Sequence, residues 1–199
     1  MSQPNIIWTG GEEIGSKCVI GFDRDGVINE DVGTYCYKPE DFKPIPGSLK
    51  AMASARLKGY KLAIITDQGG IEKGIYTQDD VEKVHEYMFQ LLGEAGCLTI
   101  DALYYSASSR KDDPFAKPNT GMFKRCEKEN KQIKFKEGYY VGDKMKDLKA
   151  ALNIGAKPVL VRTGYGIETE KELNRYSNRE VKARVMIFDN LEQFIESLP

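Results

Sequence analysis

The stretch GFDRDGVINED, residues 21–31, places two carboxylates directly after a short apolar run. Residues 18–20, which precede it, are typical of a buried strand, whereas Asp23 and Asp25 stand two positions apart with a glycine immediately after them. In a parallel α/β sheet, ligands bind in the crevice beyond the carboxyl ends of the strands. The stretch therefore predicts a polar site at the end of the first strand.

The rest of the chain alternates β-type runs with helical patterns, which predicts an α/β fold with a mainly parallel central sheet flanked by helices. The six runs are CVIGF (18–22), KLAIIT (61–66), IDALYY (100–105), GYYVG (138–142), PVLVRT (158–163) and ARVMIF (183–188). Helices are expected at 47–58, between an N-cap at Thr77 and a stop at Gly96, at 119–129 and at 145–154.

Composition predicts one domain with no strong preference for a charged partner. The chain has 199 residues, of which 41% are hydrophobic, so we expect a single domain over 1–199, with residues 1–17 as an extension of uncertain structure. The formal net charge of −1 provides no overall field for nucleic acid or for an anionic membrane. A monomer or a small homo-oligomer is expected.

Segment composition and cysteine usage favour a cytoplasmic protein. No run reaches about eighteen consecutive apolar residues, and the N-terminus lacks the pattern of a signal peptide. The four cysteines contain no CxxC pair, which suits a reducing compartment and argues against a disulfide framework and a cysteine-based zinc site. The lone His85 is interpreted as an ordinary core or surface residue, so acids and bases must be carboxylates or lysines.

Polar residues occur at the ends of four predicted strands in chain order. In sequence order these are Asp23 and Asp25; Thr66, Asp67 and Gln68; Lys117 in the loop after the third strand; and Asp143 with Asp147. Each motif alone has an ordinary explanation: an Asx-type turn, a solvated lysine before a proline, or a helix cap. All four in this order are hard to attribute to coincidence.

This set of residues matches the requirements of phosphoryl transfer. Mg²⁺ prefers oxygen ligands, which Asp23 and Asp143 can supply from neighbouring strand ends. A carboxylate such as Asp23 can also attack phosphorus to give an aspartyl phosphate, while Asp25 exchanges the protons. Thr66 offers a hydroxyl to the phosphate, and Lys117 brings a compact positive charge.

The motifs resemble those of the haloacid dehalogenase (HAD) superfamily, and specifically the D-glycero-D-manno-heptose-1,7-bisphosphate 7-phosphatases, which are grouped with the histidinol-phosphate phosphatases. The resemblance covers residues 18 to about 167 and rests on FDRDGVINED, GTYCYKPEDF, PIPGS, ITDQGGIEKGIYT, AKPNTGMF and YYVGDKMKDLKAALNIGAKPVLVRTGYG. It implies a Rossmann-like HAD fold with a minimal cap domain or none. The loops 29–42 and 106–116 should then shape the substrate pocket.

The resemblance also implies a role for each motif residue. Asp23 corresponds to the nucleophile and a magnesium ligand, and Asp25 to the general acid/base that gives its backbone carbonyl to the metal. Asp143 corresponds to the remaining carboxylate on magnesium. The motif that binds the transferred phosphate includes Thr66, Asp67 and Gln68; Lys117 neutralises that phosphate, and Lys144 and Asp147 support the site.

Three departures from the family pattern concern the pocket. Asp67 stands where asparagine is usual, which places a carboxylate near the phosphate. Serine, aspartate and phenylalanine occupy the positions of a structural zinc site, so no zinc is expected; the positions are Ser106, Ser108, Asp113 and Phe115. Ala116 replaces an arginine suited to a second phosphate, and Arg110 or Lys111 either takes its place or is a solvated loop charge.

The favoured function is a magnesium-dependent phosphomonoesterase acting on a small sugar phosphate, such as heptose 1,7-bisphosphate. Histidinol phosphate is an alternative substrate, because the arginine for a second phosphate is missing. The segment KPNTGMF also resembles polynucleotide 3′-phosphatases, although the near-zero net charge weighs against a nucleic-acid substrate. A non-catalytic binding protein is least expected, because it would not need both the nucleophile and its acid.

Overall fold

The central sheet of the protein has six strands, all parallel. The computed structural model describes residues 18–31, 33–175 and 179–199, so the N-terminal extension predicted at 1–17 lies outside the described residues. The strands are β1 (Val19–Phe22), β2 (Lys61–Asp67), β3 (Ala102–Ser106), β4 (Tyr139–Gly142), β5 (Lys157–Val161) and β6 (Met186–Phe188), in the spatial order β3-β2-β1-β4-β5-β6. The predicted parallel α/β fold is confirmed.

Seven α-helices connect or flank these strands in the described part of the chain. They are α1 (Ser48–Leu57), α2 (Gln78–Glu94), α3 (Gly121–Glu129), α4 (Met145–Ile154), α5 (Gly166–Arg175), α6 (Arg179–Arg184) and α7 (Leu191–Glu196), with a short 3₁₀ helix at Pro39–Asp41. The predicted capping of α2 is confirmed, because Thr77 accepts from the backbone N–H of Asp80 while the Asp80 carboxylate accepts from that of Thr77. The other predicted helices coincide with α1, α3 and α4.

The last predicted strand began too early. The run 183–188 was expected to be extended, but α6 continues to Arg184 and β6 begins only at Met186. Lysine, alanine and arginine at positions 182–184 are good helix formers, so propensity at this point favours the helix over the strand. The first five predicted strands match the structure to within two residues at each end.

Alternate residues of the strands pack on opposite faces of the sheet. Leu62 and Ile64 belong to a buried cluster that includes side chains of α1, α2 and α7. Ala63 and Ile65 belong to a second cluster with side chains of α3 and α4. Because successive side chains of a strand point to opposite faces, helices on both sides bury a continuous apolar run.

The sheet order brings three motif-bearing strand ends together. β1 is hydrogen-bonded to β2 on one side and to β4 on the other, so their carboxyl ends lie at the same edge. Asp23 and Asp143 follow β1 and β4, and Thr66 is the penultimate residue of β2. None of the described helices is both long enough and apolar enough to cross a membrane.

Candidate active site

Asp23 lies at the centre of this edge with one carboxylate oxygen engaged. Its backbone N–H donates to the carbonyl of Val141 at 2.9 Å, which fixes the residue beside β4. Oδ1 accepts from the backbone N–H of Arg24 at 2.9 Å and pairs with Nζ of Lys117 at 2.9 Å. No described residue donates to Oδ2, so this oxygen is left to react.

Lys117 reaches the site from the loop between β3 and α3 and is fully buried. Its Nζ lies 2.9 Å from Asp23 Oδ1 and 2.7 Å from Asp147 Oδ1, and it donates to the hydroxyl of Tyr140 at 3.0 Å. The Tyr140 hydroxyl in turn donates to the carbonyl of Ile65 on β2. The ammonium group is therefore held by the residue that follows β1, by a tyrosine of β4 and by the first turn of α4, and the tyrosine is in turn bonded to β2.

Asp23 and Lys117 each keep the other in its charged form. Burial alone would raise the pKa of Asp23, but the positive charges of Lys117, Lys146 and Lys144 outweigh it and lower that pKa to about 2. Burial alone would lower the pKa of Lys117, but Asp147 and Asp23 outweigh it and hold that pKa well above the usual value. Asp23 is therefore an ionised carboxylate at neutral pH.

A cluster of three buried carboxylates adjoins this pair. Oxygen atoms of Asp23, Asp143 and Asp147 lie within 4.8 Å of one another. Burial, followed by repulsion from Asp147 and Asp23, raises the pKa of Asp143 to about 8, although Lys144 acts in the opposite direction. Oδ1 of Asp143 is buried without a hydrogen-bond partner. An unpaired buried oxygen among carboxylates is suited to a hard divalent cation such as Mg²⁺.

The other oxygen of Asp143 is fixed by the segment that follows β5. Oδ2 accepts from the backbone N–H of Tyr165 at 2.9 Å, and the Thr169 hydroxyl donates to the Asp143 carbonyl at 2.7 Å. Gly26 (φ +87°) and Gly164 (φ +55°) approach the carboxylate so closely that a Cβ at either position would collide with Oδ2. Both glycines therefore serve the placement of Asp143.

Asp147 combines a helix cap with the site. It is the third residue of α4, and its Oδ2 accepts from the backbone N–H of Lys144 at 3.0 Å, while Oδ1 faces Lys117. The alternative in which Asp143 merely caps this helix is wrong, because its carboxylate is directed to the segment after β5.

Asp25 is separated from the carboxylate cluster and faces a cavity of about 190 Å³. Its side chain is 25% exposed. The carboxylate accepts hydrogen bonds from the guanidinium of Arg24 and from the amides of Asn29 and Gln68, at 2.9–3.1 Å. Of the two aspartates after β1, only Asp23 therefore places its side chain beside Asp143 and Asp147. Binding of the metal by the backbone carbonyl of Asp25 stays a prediction.

The predicted phosphate motif lies between these two carboxylates. Thr66 is buried, and its hydroxyl accepts from the amide of Gln68 at 3.2 Å. The same Gln68 amide donates to Asp25 Oδ2 at 3.1 Å, while its carbonyl oxygen accepts from the Tyr76 hydroxyl at 3.1 Å. Gln68 thereby connects the Thr66 hydroxyl with Asp25.

Asp67 is paired rather than directed at the phosphate position. Its Oδ2 lies 2.7 Å from Nζ of Lys146, and its Oδ1 accepts from the backbone N–H of Lys117 at 3.1 Å. The carboxylate of Asp67, which the sequence placed near the phosphate, is therefore neutralised by a lysine of α4. Lys146 was missed in the sequence analysis, because no motif or spacing connects it with Asp67, which lies 79 positions earlier in the chain.

The cavity wall comes from both predicted loops and from the start of α4. The loop 29–42 contributes Asp31 and Tyr35 among others, the loop 106–116 contributes Ser109, and α4 with its cap contributes Lys146 and Lys144. Lys144 pairs with Asp31 at 2.9 Å.

The structure does not bring Arg110 to this wall. Its side chain is 64% exposed and pairs with Glu72 at 3.3 Å and with Asp112 at 3.5 Å. Lys111 is also exposed and is not among the lining residues. A contact of either residue with a second phosphate stays a prediction.

The loop 106–116 is organised by its own hydrogen bonds at the positions where relatives are expected to hold zinc. The Ser106 hydroxyl accepts from the backbone N–H of Ser108, whose own hydroxyl accepts from that of Arg110, both at 3.1 Å. Asp113 accepts from the backbone N–H of Phe115 at 2.8 Å. Side chains of the altered residues thus take up backbone groups of the loop.

A parallel sheet with these four motifs at its carboxyl edge defines a phosphatase of the HAD superfamily. Comparisons with known proteins identify the family within that superfamily. A family model described as polynucleotide kinase 3 phosphatase matches residues 18–157. The chain is 36% identical over 176 residues to a D-glycero-β-D-manno-heptose-1,7-bisphosphate 7-phosphatase of Pseudomonas putida, which covers 88% of this chain and 96% of that protein.

Further similarities point the same way. A protein of that name from Haemophilus ducreyi is 36% identical over 167 residues, 80% of this chain and 90% of that protein. The crystal structure of a D,D-heptose 1,7-bisphosphate phosphatase from B. bronchiseptica, complexed with magnesium and phosphate, aligns with a TM-score of 0.80 at 27% identity, over 90% of this chain and 97% of that one. The chain belongs to the family of heptose-1,7-bisphosphate 7-phosphatases, and it is a hydrolase of phosphoric monoesters.

Proposed function

We propose that the enzyme hydrolyses the 7-phosphate of D-glycero-D-manno-heptose 1,7-bisphosphate, or of a closely related sugar bisphosphate, in a magnesium-dependent reaction. The observation that carries this proposal is the arrangement of Asp23, with one oxygen paired to buried Lys117 and the other free of donors. The names of the relatives in P. putida and H. ducreyi support the sugar substrate.

The first chemical step forms a covalent aspartyl phosphate. Oδ2 of Asp23 attacks phosphorus, the bond between phosphorus and the sugar oxygen breaks, and Asp25 donates a proton to the leaving alkoxide. Lys117 and the Thr66 hydroxyl bind the phosphate oxygens during this transfer. The free sugar alcohol then leaves through the cavity lined by Asp25.

The second step releases inorganic phosphate. Water attacks the phosphorus of the aspartyl phosphate, Asp25 takes a proton from that water, and the bond between phosphorus and Asp23 breaks. Asp25 is then protonated for the next cycle, so the two steps balance without any co-reactant other than water.

Asp23 and Asp143 would hold the Mg²⁺ ion, together with the backbone carbonyl of Asp25. When bound, the ion supplies positive charge that neutralises the phosphate and the carboxylates around it. The unpaired Oδ1 of Asp143 supports this assignment, and so does the magnesium in the B. bronchiseptica relative. Lys144 and Asp147 support the site by fixing the start of α4.

The experiment measures phosphate release from three substrates, with Mg²⁺ present and after chelation. The three substrates are heptose 1,7-bisphosphate, histidinol phosphate and a 3′-phosphorylated oligonucleotide. They represent the three phosphatase activities that the sequence analysis considered. Asp23→Asn removes the nucleophile, and Asp79→Asn, at an exposed position on α2, is the matched control. We expect preference for the heptose bisphosphate, lost with chelation and with Asp23→Asn but not with Asp79→Asn.

Two results would contradict the proposal. Preference for the oligonucleotide would favour the function named by the matching family model, and preference for histidinol phosphate would exclude a requirement for the second phosphate. Double replacement of Arg110 and Lys111 by methionine tests the second phosphate separately. If these residues contact it, the preference for bisphosphate over monophosphate falls; if they are solvated charges, it does not change.

We also infer a single domain over residues 1–199 and a cytoplasmic location. One six-stranded sheet runs through the described residues and supports the first inference. The cysteines at positions 36, 97 and 126 are buried free thiols, which suits a reducing compartment and supports the second.

A further inference from the structure

Arg24 is a fully buried arginine beside the proton-transfer residue of the site. It is among the largest side chains that are completely buried, and it does not line the cavity, whereas its neighbour Asp25 does. Burying a guanidinium group is costly unless charged and polar partners compensate it. The contacts of Arg24 therefore indicate what its charge is used for.

The guanidinium group of Arg24 forms hydrogen bonds with both carboxylate oxygens of Asp25. Nε and Nη2 of Arg24 lie 3.1 and 3.0 Å from Oδ1, and Nη2 lies 3.0 Å from Oδ2. Asn29 adds a donor to Oδ1 at 2.9 Å, and Gln68 adds one to Oδ2 at 3.1 Å. Rotation of the Asp25 carboxylate would break several charge-assisted hydrogen bonds at once.

Three further residues also contact the guanidinium group. Nη2 also donates to the carbonyl of Cys36 at 3.0 Å and to Oε1 of Gln68 at 3.2 Å, and Nη1 lies 3.3 Å from Nε2 of His85. Cys36 belongs to the loop before α1, Gln68 directly follows β2, and His85 belongs to α2.

The contact with His85 requires a neutral imidazole. An arginine has only donors, so Nε2 of His85 must accept and the ring proton must be on Nδ1. Burial and then the charge of Arg24 lower the pKa of His85 well below its usual value, in agreement with this assignment. The only histidine of the chain is thus part of the surroundings that hold Arg24.

We propose that Arg24 is a positioning residue that orients Asp25 for both proton transfers of the reaction. This inference rests on the proposed function. Without Arg24, Asp25 is no longer held toward the leaving oxygen in the first step or toward the attacking water in the second. The nucleophile is unaffected, because Asp23 receives its contacts from Lys117 and from the backbone of residue 24, which every substitution retains.

The test compares a sugar phosphate with 4-nitrophenyl phosphate in Arg24→Met. An alkoxide must be protonated as it leaves, whereas 4-nitrophenolate leaves without help from an acid. We expect kcat/KM for heptose 1,7-bisphosphate to fall roughly 100-fold, within the usual range for general acid catalysis, and kcat/KM for the aryl phosphate to fall less than about fivefold. The aryl phosphate should also show a burst of one 4-nitrophenolate per enzyme, because the slow second step still needs Asp25 as base.

A purely structural role of Arg24 would give a different pattern. It would lower kcat/KM for both substrates by the same factor and produce no burst, and this result would overturn the inference. The matched control is Arg56→Met, which removes another largely buried arginine, paired with Asp101 at 2.9 Å near the start of β2. The control should lower the unfolding temperature without changing the ratio of the two substrates.

A second pair of variants keeps the result interpretable. Arg24→Lys retains the charge but cannot reproduce the forked contact, so it should show the same pattern in weaker form even if Arg24→Met does not fold. Asp25→Asn serves as reference. If Asp25→Asn does not distinguish the substrates, the acid–base role that the proposed mechanism gives to Asp25 is wrong; if it does and both Arg24 variants do not, the positioning role of Arg24 is wrong.

Discussion

Replacing Lys117 by methionine removes the only positive charge in contact with two buried carboxylates of the described site. The change leaves Asp23 and Asp147 without the ammonium group that lies 2.9 and 2.7 Å from them. A pKa of Asp23 lowered from 3.8 to about 2 corresponds to roughly 2 kcal/mol. Removing one partner of a buried ion pair typically costs about 3–5 kcal/mol, and we expect a loss of unfolding free energy in that range at pH 7.5.

Chemical denaturation of wild type and Lys117→Met measures this loss as a function of pH. Asp23 has a lowered pKa in the folded protein, so its contribution is complete above its ordinary pKa and disappears as the pH falls towards 2. The difference between the two proteins should therefore narrow below about pH 4. Mg²⁺ should raise the unfolding temperature of the variant more than that of wild type, because it neutralises the same carboxylates. Phosphatase activity should fall on the order of 1000-fold.

The matched control is Lys124→Met, which removes an exposed lysine on α3. A loss for Lys117→Met of less than about 1 kcal/mol, or equal to that of the control, would refute the reasoning, because surface charges contribute at most that much. A pH-independent difference would show that the cost comes from packing and not from the charge.

Three other changes test the surroundings of the site. Gly26→Ala directs a Cβ against the Asp143 carboxylate, and calorimetry should show Mg²⁺ affinity reduced by roughly tenfold or more. His85 is buried and neutral, so below its ordinary pKa only the unfolded chain gains its proton, and wild type loses stability as the pH falls. His85→Gln should remove this loss of stability. The stability of the variant relative to wild type should therefore rise by up to about 1.4 kcal/mol for each pH unit of acidification from pH 6.5 to 5. Lys146→Met leaves Asp67 unpaired near the phosphate, so KM should rise roughly tenfold and return when Asp67→Asn is added.

Each of these three has an outcome that speaks against it. Unchanged Mg²⁺ affinity in Gly26→Ala would mean that Asp143 moves freely or is not a ligand. Parallel stability curves for wild type and His85→Gln would mean that the imidazole gains its proton as readily in the folded protein as in the unfolded chain. A double variant no better than Lys146→Met alone would show that Lys146 acts on the substrate directly and not through Asp67.

The fold was largely predictable because the strands are continuous apolar runs. Residues such as Ile20 and Ile64 are buried between helix layers on both faces of the sheet, so the runs stand out from the polar helices. The small elements after residue 165 gave weaker signals. Half of the residues of α5 are charged, and the boundary between α6 and β6 is decided by helix formers next to a strand of three residues.

The candidate site was predictable as a set of residue types but not as a set of pairs. Chain order placed Asp23, Thr66 and Asp143 at strand ends that turned out to be neighbours. The partners of these residues come from distant positions: Lys146 lies 79 residues from Asp67, and His85 lies 61 residues from Arg24. Arg24 itself gave no signal, because a single arginine between two aspartates looks like a solvated charge.

The distribution of lysines leaves one carboxylate of the site without a close positive charge. Asp23 faces Lys117, Asp67 faces Lys146, and Asp31 faces Lys144 at 2.9 Å. Lys144 remains 4.0 Å from Oδ2 of Asp143, whose Oδ1 has no partner. If Lys144 turned from Asp31 to Asp143, its positive charge would offset that carboxylate and would compete with a divalent ion for it. The pairing of Lys144 with Asp31 therefore keeps Asp143 available, and loss of Asp31 should weaken Mg²⁺ binding although Asp31 is not a ligand.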